Sequence, residues 1–354
     1  MQLTIQDIAF GGKGVGRSDG LAVFVPFTIP GETVEVELTR RKKNYAEAEL
    51  VAVETPSPDR VEPPCRYFGR CGGCAYQHIA YPAQLAIKAR QVEQTLRRVG
   101  KFSEIPMRPI IASPEEYGYR NRVRVHVAGG VTGFYAHGAN ALVDIEECLL
   151  ASGEVNDRLT GLRSRLMPDG DYTVAERRNH GGYFEQTNDA VAREMLALVE
   201  RLVAPTPGGR LVDAYCGAGF FSRHLRDRFA TVVGIEENEF AVAHARSLAA
   251  PNERYLAGDV AVHLPEVLGE QEEGGEPGET TLILDPPATG VTARVIDTLL
   301  AAAPREVIYV SCDPATLARD LALLRSGYRL ESVTPLDMFA QTAEIEVVAH
   351  LRRL

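Results

Sequence analysis

No stretch of the chain approaches the roughly 20 consecutive apolar residues that a membrane-spanning helix needs. The first residues also lack the basic and apolar blocks of a secretory signal peptide. Both absences predict a cytoplasmic protein that has no membrane contact. The length of 354 residues, with 45% hydrophobic and 24% charged residues, excludes a disordered chain and suits two or three globular domains.

Cysteine is scarce as well. The chain has six cysteines at uneven spacings, which is too few for a disulfide scaffold. A metal site or a catalytic thiol therefore explains them better than structural disulfides do. The six are Cys65, Cys71, Cys74, Cys148, Cys216 and Cys312.

The chain also lacks an overall excess of positive charge, since its formal net charge is -10 at pH 7. This excludes a protein that coats nucleic acid over its whole surface. Locally, however, residues 61–128 hold 11 Lys and Arg against 5 Asp and Glu. Such a basic region would steer RNA towards the protein, although solvated surfaces of both signs would give the same counts.

Turn signals divide the chain into three predicted domains. Residues 1–58 alternate short β-rich runs with turns, which predicts a small OB-like barrel of a kind that often binds RNA. The proline-rich segment "TPSPDRVEPP" then reads as a linker. Residues 59–184 form a central domain that contains most of the cysteines, and residues 185–354 have an α/β pattern.

Three of the cysteines stand close together in the central domain. The stretch "CRYFGRCGGC" gives Cys65, Cys71 and Cys74 the spacing C-x5-C-x2-C, and Cys148 would complete a set of four thiolates. Four thiolates suit an iron–sulfur cluster or a tetrahedral zinc ion, and spacing alone does not choose between the two. The alternative is that Cys148 is an ordinary buried thiol and the glycine-rich stretch only a turn.

Alternating residues in "YGYRNRVRVHV" predict a half-buried strand in the same domain. Arg120, Arg122 and Arg124 would share one face of this strand, and valines the other. Three guanidinium groups on one face favour contact with RNA phosphates. A solvated sheet face is the alternative.

The third domain alternates apolar strands with helices, which predicts a doubly wound, mostly parallel sheet. Ligands bind such sheets outside the carboxyl ends of the strands. Polar candidates at those ends are Asp213, Glu236, Asp259, Asp285 and Cys312.

A glycine turn, "CGAG", follows the first strand of this sheet and lets the backbone approach a ligand. Glu236 ends the second strand, where it would accept hydrogen bonds from both hydroxyls of a ribose. The third glycine of the dinucleotide fingerprint is missing, which disfavours a pyrophosphate dinucleotide. S-adenosyl-L-methionine is then the leading cofactor.

Cys312 stands at the end of a predicted strand in "YVSCDPATLARDL", next to the strand that ends in Asp285. A thiolate beside a methyl donor indicates covalent catalysis. Carbon 5 of a pyrimidine becomes nucleophilic once a thiolate has added to carbon 6, and a base must later remove the hydrogen at carbon 5. Glu346 and Glu344, in "QTAEIE", are both candidates for this base.

Seven motifs spread over nearly the whole chain resemble those of the RNA uracil-5-methyltransferase family. They are "CGGCAYQH", "YRNRVR", "YFEQTN", "DAYCGAG", "LDPP", "YVSCDPATLARDL" and "QTAEIE". The resemblance is to the longer form of that family, which has an N-terminal TRAM barrel and an iron–sulfur cluster. It implies a Rossmann-like class I methyltransferase domain behind the barrel and a central α+β domain.

The resemblance also implies roles for individual residues. Cys312 would be the nucleophile and Glu346 the base that removes the carbon-5 hydrogen. A four-iron, four-sulfur cluster would be bound by Cys65, Cys71, Cys74 and Cys148. S-adenosyl-L-methionine would be bound by Gln186, Tyr215, Glu236 and Asp285, with Asp259 near the adenine.

Five positions depart from the family pattern. Phe220, Ala288, Asp313, Ala340 and Glu344 stand where the family commonly has asparagine, arginine, asparagine, proline and histidine, respectively. The expected substrate is 23S ribosomal RNA, with methylation of uridine 54 in transfer RNA as the alternative, and the expected state is a monomer. Two further hypotheses are an RNA-binding protein with a decayed methyltransferase domain and an RNA cytosine-5-methyltransferase.

Overall fold

Five N-terminal strands close into a small barrel. In this computed structural model, which describes residues 1–165, 167–177, 182–203, 209–270 and 280–354, the strands are β1 (Gln2–Ile8), β2 (Gly14–Ser18), β3 (Leu21–Val25), β4 (Thr33–Arg41) and β5 (Tyr45–Thr55). Their order around the barrel is β1-β2-β3-β5-β4. Alternate residues such as Ile5, Val25 and Val34 fill the interior, because successive side chains of a strand point to opposite faces. The predicted OB-like barrel is confirmed.

The central part consists of a long helix, a four-stranded antiparallel sheet and a second helix. These elements are α1 (Tyr81–Arg98), β6 (Arg122–Ala128), β7 (Val131–Tyr135), β8 (Leu142–Asp144), α2 (Gly153–Arg163) and β9 (Gly170–Ala175). The sheet order is β8-β7-β6-β9. Val123, Val125 and Val127 are buried, and the first two pack with Val155 and Leu159 of α2. The alternation predicted for β6 is therefore correct from Arg122 onwards.

A seven-stranded sheet with helices on both faces forms the C-terminal part. Its elements are α3 (Asp189–Leu202), β10 (Arg210–Ala214), α4 (Phe220–Leu225), β11 (Thr231–Glu236), α5 (Glu239–Ser247), β12 (Glu253–Ala257), α6 (Val260–Gly269), β13 (Thr280–Leu284), α7 (Ala293–Ala302), β14 (Glu306–Ser311), α8 (Pro314–Leu324), β15 (Tyr328–Leu336) and β16 (Glu346–Arg353). The strand order is β12-β11-β10-β13-β14-β16-β15. The first five strands in this order are parallel. Strand β16 runs antiparallel to both of its neighbours, β14 and β15. The predicted doubly wound α/β fold is confirmed.

Helix α1 crosses from the central part to the C-terminal sheet. Its side chains Val92 and Leu96 are fully buried in one core with Leu317 and Leu321 of α8 and with Val333 of β15. The sequence placed α1 in the central domain, and the division at residues 58 and 184 stays a prediction. None of the helices in the described ranges is long and apolar enough to cross a membrane.

Val92→Ala should lower the free energy of unfolding by about 2 kcal/mol, because it removes two methyl groups from a closed core. The matched control is Val99→Ala at the end of the same helix, where the side chain is 47% exposed and the expected loss is below about 0.5 kcal/mol. Urea unfolding followed by circular dichroism measures both. Equal losses in the two variants would show that α1 does not contribute to this core.

Candidate active site

The carboxyl edge of the C-terminal sheet gathers most of the side chains that the sequence singled out. Parallel strands end at one edge of a sheet, and β16 runs antiparallel to β14, so that it begins at the edge where β14 ends. The side chains at this edge are Asp213, Tyr215, Glu236, Asp259, Asp285, Cys312 and Glu346.

A tight turn between β10 and α4 brings backbone to this edge. Tyr215, Gly217 and Gly219 all have positive φ, at 66°, 54° and 84°. At Gly219 a Cβ would come within 2.9 Å of the Tyr255 hydroxyl. Glycine is therefore required there by this close approach and by the positive φ. Tyr215 has a left-handed conformation that is rare for a side chain of its size, and its N–H donates to the carbonyl of Ile235 at 2.8 Å.

Glu236 is held rigidly across this turn. One of its carboxylate oxygens accepts the N–H of Gly217 at 3.0 Å and the other accepts the N–H of Asn238 at 2.8 Å. Each oxygen has a second lone pair, which suits the two hydroxyls of a ribose. Asp259 is fixed in a similar way, since its Oδ1 accepts the N–H of Ala261 at 2.8 Å and caps α6.

Two further carboxyl groups lie behind Glu236. Asp213 is fully buried and its Oδ2 accepts the N–H of Ser222 at 2.8 Å, while its Oδ1 has no hydrogen-bond partner among the described residues. Burial, followed by the charges of neighbouring carboxylates, raises the pKa of both Asp213 and Asp285 to about 7. A positively charged ligand would relieve this repulsion, so the site suits a cation such as a sulfonium.

Cys312 and Glu346 face each other on adjacent strands. Ser311, which precedes Cys312, pairs with Val347, which follows Glu346. Burial raises the pKa of Cys312 to about 11, and the next largest causes are the negative charges of Glu346 and Asp285. Burial also raises the pKa of Glu346, and Asp285 and Glu344 add to the effect. The thiol, Glu346 and Asp285 therefore form one electrostatically connected group.

The two candidate glutamates differ in environment. Glu346 is 5% exposed and acts on the pKa of Cys312. Glu344 is exposed and precedes the strand.

Gln186 lies on the segment before α3, within the motif that carried its assignment. Tyr183 of the same motif stacks on His244 of α5 with the ring centroids 5.2 Å apart. Asn121 donates to the carbonyl of Gln186 at 2.9 Å and to Asp189 at 2.7 Å. These contacts fix the backbone of Gln186, whose side chain makes no hydrogen bond within the described ranges. The sequence assigned no individual role to Asn121 or Tyr183, because a lone amide and a lone aromatic ring give no pattern.

The departures from the family pattern have local explanations at three positions. Asp313 caps α8 by accepting the N–H groups of Ala315 and Thr316 at 2.8 and 2.9 Å, a task that aspartate performs as well as asparagine. Ala340 is fully buried, and its carbonyl accepts the hydroxyl of Tyr119 at 2.8 Å. Phe220 packs at the border of the core beneath α3. Nothing in the structure explains Ala288.

The four central cysteines line one cavity of about 230 Å³. Cys65, Cys71, Cys74 and Cys148 are all free thiols. Burial raises the pKa of Cys71 and Cys148 above its usual range, and that of Cys74 to about 12. Apolar side chains, among them Val123 and Phe134, complete the wall.

Within the described residues, no group of three or more His, Cys, Asp or Glu side chains is placed so that it could hold a metal ion. The four thiols nevertheless line the same cavity.

The prediction that three arginines share a sheet face is wrong for Arg120. Strand β6 begins at Arg122, whereas the Arg120 guanidinium lines the cysteine cavity and lies 5.9 Å from the ring centroid of Phe339. The backbone of Arg120 bonds to Leu150 instead of continuing the strand. Arg122 and Arg124 pair with Glu185 and Asp171, respectively.

The sheet, its glycine turn and its edge of acidic side chains define a Rossmann-like methyltransferase fold. Two family models match parts of the chain: "TRAM domain" matches residues 1–51 and "tRNA (Uracil-5-)-methyltransferase" matches residues 278–354. The 23S rRNA (uracil(1939)-C(5))-methyltransferase RlmD of Thiobacillus denitrificans is 32% identical, over 97% of this chain and 97% of that protein. An uncharacterized RNA methyltransferase of Bdellovibrio bacteriovorus is 32% identical, over 99% of this chain and 95% of that protein.

A solved structure is also similar over the whole length. The tRNA (uracil-54, C5)-methyltransferase of Pyrococcus abyssi, in complex with S-adenosyl-L-homocysteine, matches with a TM-score of 0.73 and 26% identity over 99% of this chain and 100% of that one. The chain therefore belongs to the RNA uracil-C5-methyltransferase family. It is an S-adenosyl-L-methionine-dependent enzyme that acts on RNA.

The raised pKa of Cys312 predicts the reactivity of its thiol. Only the thiolate reacts with iodoacetamide, so alkylation of Cys312 should be slow at pH 8 and should accelerate up to about pH 11. Glu346→Gln removes a carboxyl whose negative charge raises the pKa of the thiol, so alkylation should reach its full rate at a lower pH. Mass spectrometry of the Cys312 peptide measures the rate. Glu344→Gln is the control and should change the alkylation of Cys312 little. Unchanged alkylation in Glu346→Gln would show that the Glu346 carboxyl does not act on the Cys312 thiol.

Proposed function

We propose that the protein methylates carbon 5 of a uridine in RNA through a covalent bond between Cys312 and carbon 6. The observation that carries the proposal is the meeting of the Cys312 thiol and the Glu346 carboxyl at adjoining strand ends, beside Asp285. S-adenosyl-L-methionine supplies an electrophilic methyl group on a positively charged sulfur atom.

The steps follow from the chemistry of the pyrimidine. The Cys312 thiolate adds to carbon 6, and the electron pair of the carbon 5–carbon 6 double bond forms an enolate with its nucleophilic end at carbon 5. Carbon 5 then takes the methyl group, and the electron pair of the broken methyl–sulfur bond stays on the donor sulfur, which becomes a neutral thioether. Glu346 removes the hydrogen that remains on carbon 5, the double bond re-forms, and the sulfur leaves carbon 6 with the electron pair of its bond.

In the free enzyme, Cys312 and Glu346 need a nearby cation to reach the charged forms that the reaction uses. Burial raises the pKa of both Cys312 and Glu346 above its usual range. A sulfonium beside Asp285 favours the charged form of each group. Glu346 is also a stronger base than an exposed carboxylate once it is ionised, because its carboxyl has a raised pKa.

Burial favours Glu346 over Glu344 as the base. Glu346 is 5% exposed and acts electrostatically on the Cys312 thiol, whereas Glu344 is exposed. A base that removes a hydrogen from carbon must exclude water, which would otherwise compete for its lone pairs.

The cofactor site is proposed from the fixed carboxylates at the sheet edge. Glu236 would bind the ribose hydroxyls, since backbone N–H groups already orient both of its oxygens. Asp259 would lie at the adenine, and Asp285 would face the sulfonium. Tyr215 and Gln186 would complete the site from the glycine turn and from the segment before α3.

The central cysteines are proposed to hold a four-iron, four-sulfur cluster. Four thiols line a cavity whose other described wall residues are largely apolar. Thiolates are the ligands of such clusters. Cys65, Cys71 and Cys74 would bind from one loop and Cys148 from another.

The RNA target is proposed to be 23S ribosomal RNA, because the Thiobacillus relative named for that substrate is 32% identical over 97% of this chain. The transfer RNA enzyme of Pyrococcus abyssi is less similar in sequence, at 26% identity, and uridine 54 of transfer RNA is the second candidate. The barrel at residues 1–58 and the arginines of the central domain would bind the RNA, with the catalytic domain at residues 185–354. A monomer remains the expected state.

The order of the steps separates the two catalytic roles. In the Glu346→Gln variant, Cys312 should still add to carbon 6 and carbon 5 should still be methylated. The reaction should then stall with the RNA attached to the protein. Cys312→Ala should form neither product nor adduct. The measurement is a denaturation-resistant protein–RNA band that carries label from the methyl group of S-adenosyl-L-methionine. Turnover by Glu346→Gln together with a labelled adduct in Glu344→Gln would reverse the assignment of the two glutamates.

Protein purified without oxygen should contain about four iron atoms per chain. Cys148→Ser should reduce the iron content as strongly as Cys71→Ser does, since both would be ligands of one cluster. Cys216→Ser is the matched control, because this buried thiol lies in another core, and its iron content should be unchanged. Stoichiometric zinc without iron would contradict the proposal.

A further inference from the structure

The segment between β15 and β16 contains a strained residue close to the catalytic glutamate. Gln341 has a φ of +68° and is 2% exposed. A left-handed conformation is strained for a residue other than glycine and persists only where the surroundings enforce it. Glu346 lies five residues further on, and its side chain makes no hydrogen bond within the described ranges. The path of this segment therefore sets its orientation together with the pairing of β16 to β14 and β15.

The contacts that enforce the conformation of Gln341 come from the N-terminal half of the chain. The side-chain amide of Gln84, on α1, accepts the Gln341 N–H at 3.2 Å and donates to the Gln341 side-chain oxygen at 2.9 Å. The N–H groups of Ala75 and Tyr76 donate to the Gln341 carbonyl at 3.2 and 3.0 Å. Both backbone polar groups of the strained residue are thus bound from outside its own segment.

A second anchor lies one turn further along α1. Lys88 donates to Asp337 at 2.5 Å and to the carbonyl of Phe339 at 3.0 Å, and the Lys88 and Asp337 side chains are fully buried. Gln84 and Lys88 are four residues apart and so share one face of the helix. This face of α1 therefore binds residues 337–341 at three points.

We propose that Gln84 and Lys88 are positioning residues that orient Glu346 towards the hydrogen on carbon 5 of the substrate. This inference rests on the proposed function, in which Glu346 acts after methyl transfer. Cys312 directly follows β14 and makes no hydrogen bond with α1 among the described residues. Loss of the α1 anchor should consequently slow the release of the RNA more than its attachment or its methylation.

The test compares two identical substitutions on one helix. Gln84→Met removes the contact with Gln341. Gln91→Met removes another buried amide, which bonds to the carbonyls of Ile8 and Ala9 in the barrel region and to the Tyr76 hydroxyl. The substrate is total RNA from cells that lack the gene, with S-adenosyl-L-methionine labelled in the methyl group. Single-turnover rates of methyl transfer and of RNA release are measured separately on the full-length protein.

Gln84→Met should transfer the methyl group within about twofold of the unaltered rate and release RNA about 10- to 100-fold more slowly, as small displacements of catalytic groups do. Labelled adduct should accumulate in Gln84→Met and not in Gln91→Met. Equal slowing of both steps, or equal adduct in both variants, would overturn the proposal.

The double variant Lys88→Met with Asp337→Leu serves if Gln84→Met does not fold, because apolar side chains can replace a buried ion pair without loss of stability. Its expected result is the same slow release. If Glu346→Gln accumulates adduct and neither α1 variant does, the positioning role is rejected and Glu346 remains the base. If the α1 variants release RNA slowly and Glu346→Gln forms no adduct, Glu346 is rejected as the base, and the positioning role is rejected with it.

Discussion

The buried ion pair between Lys88 and Asp337 joins α1 to the C-terminal sheet, and the arrangement of the central and C-terminal parts of the chain depends most on this contact. Removal of a charge from water costs several kcal/mol for each ion, so either partner alone would destabilise the fold strongly. Neither side chain is exposed to solvent, and Lys88 has a second acceptor in the carbonyl of Phe339. The helix that follows the cysteine loop and the last two strands of the catalytic sheet therefore form only together.

The same desolvation argument explains the catalytic edge. Asp213, Asp285 and Glu346 are carboxyl groups in surroundings that disfavour their charged forms, and each raises the pKa of a neighbour. A fold that only needed stability would replace them with apolar side chains. Their repulsion is useful where the ligand carries a positive charge, because binding then relieves a cost that is already present in the free enzyme.

Most of the sheet could be predicted from the sequence, since parallel strands that are buried on both faces form continuous apolar runs. Strand β15 could not, because "YRLESVTPL" mixes charged residues with a proline. The amphipathic pattern of α1 predicts which face is buried, but not that this face binds residues some 250 positions away. Arg120 was misplaced because alternation alone does not reveal where a strand begins.

The candidate site was predictable to the extent that it depends on strand ends. Asp285 and Cys312 follow neighbouring parallel strands and had to meet. The choice between Glu344 and Glu346 depends on burial at the first residue of β16, which no periodicity encodes. For the cysteines, spacing identified three of the thiols, whereas the cavity that Cys148 shares with them is a property of the folded chain.

The long separation between α1 and its partners also has a consequence for biosynthesis. Lys88 and Asp337 are 249 residues apart, and at roughly 5–20 residues per second a ribosome needs about 12–50 s to make the intervening chain. During that time the apolar face of α1, with Val92 and Leu96, has no permanent partner. The apolar face of α1 therefore becomes buried only when α8 and the last strands have left the ribosome, whereas the barrel has a core of its own that is complete much earlier.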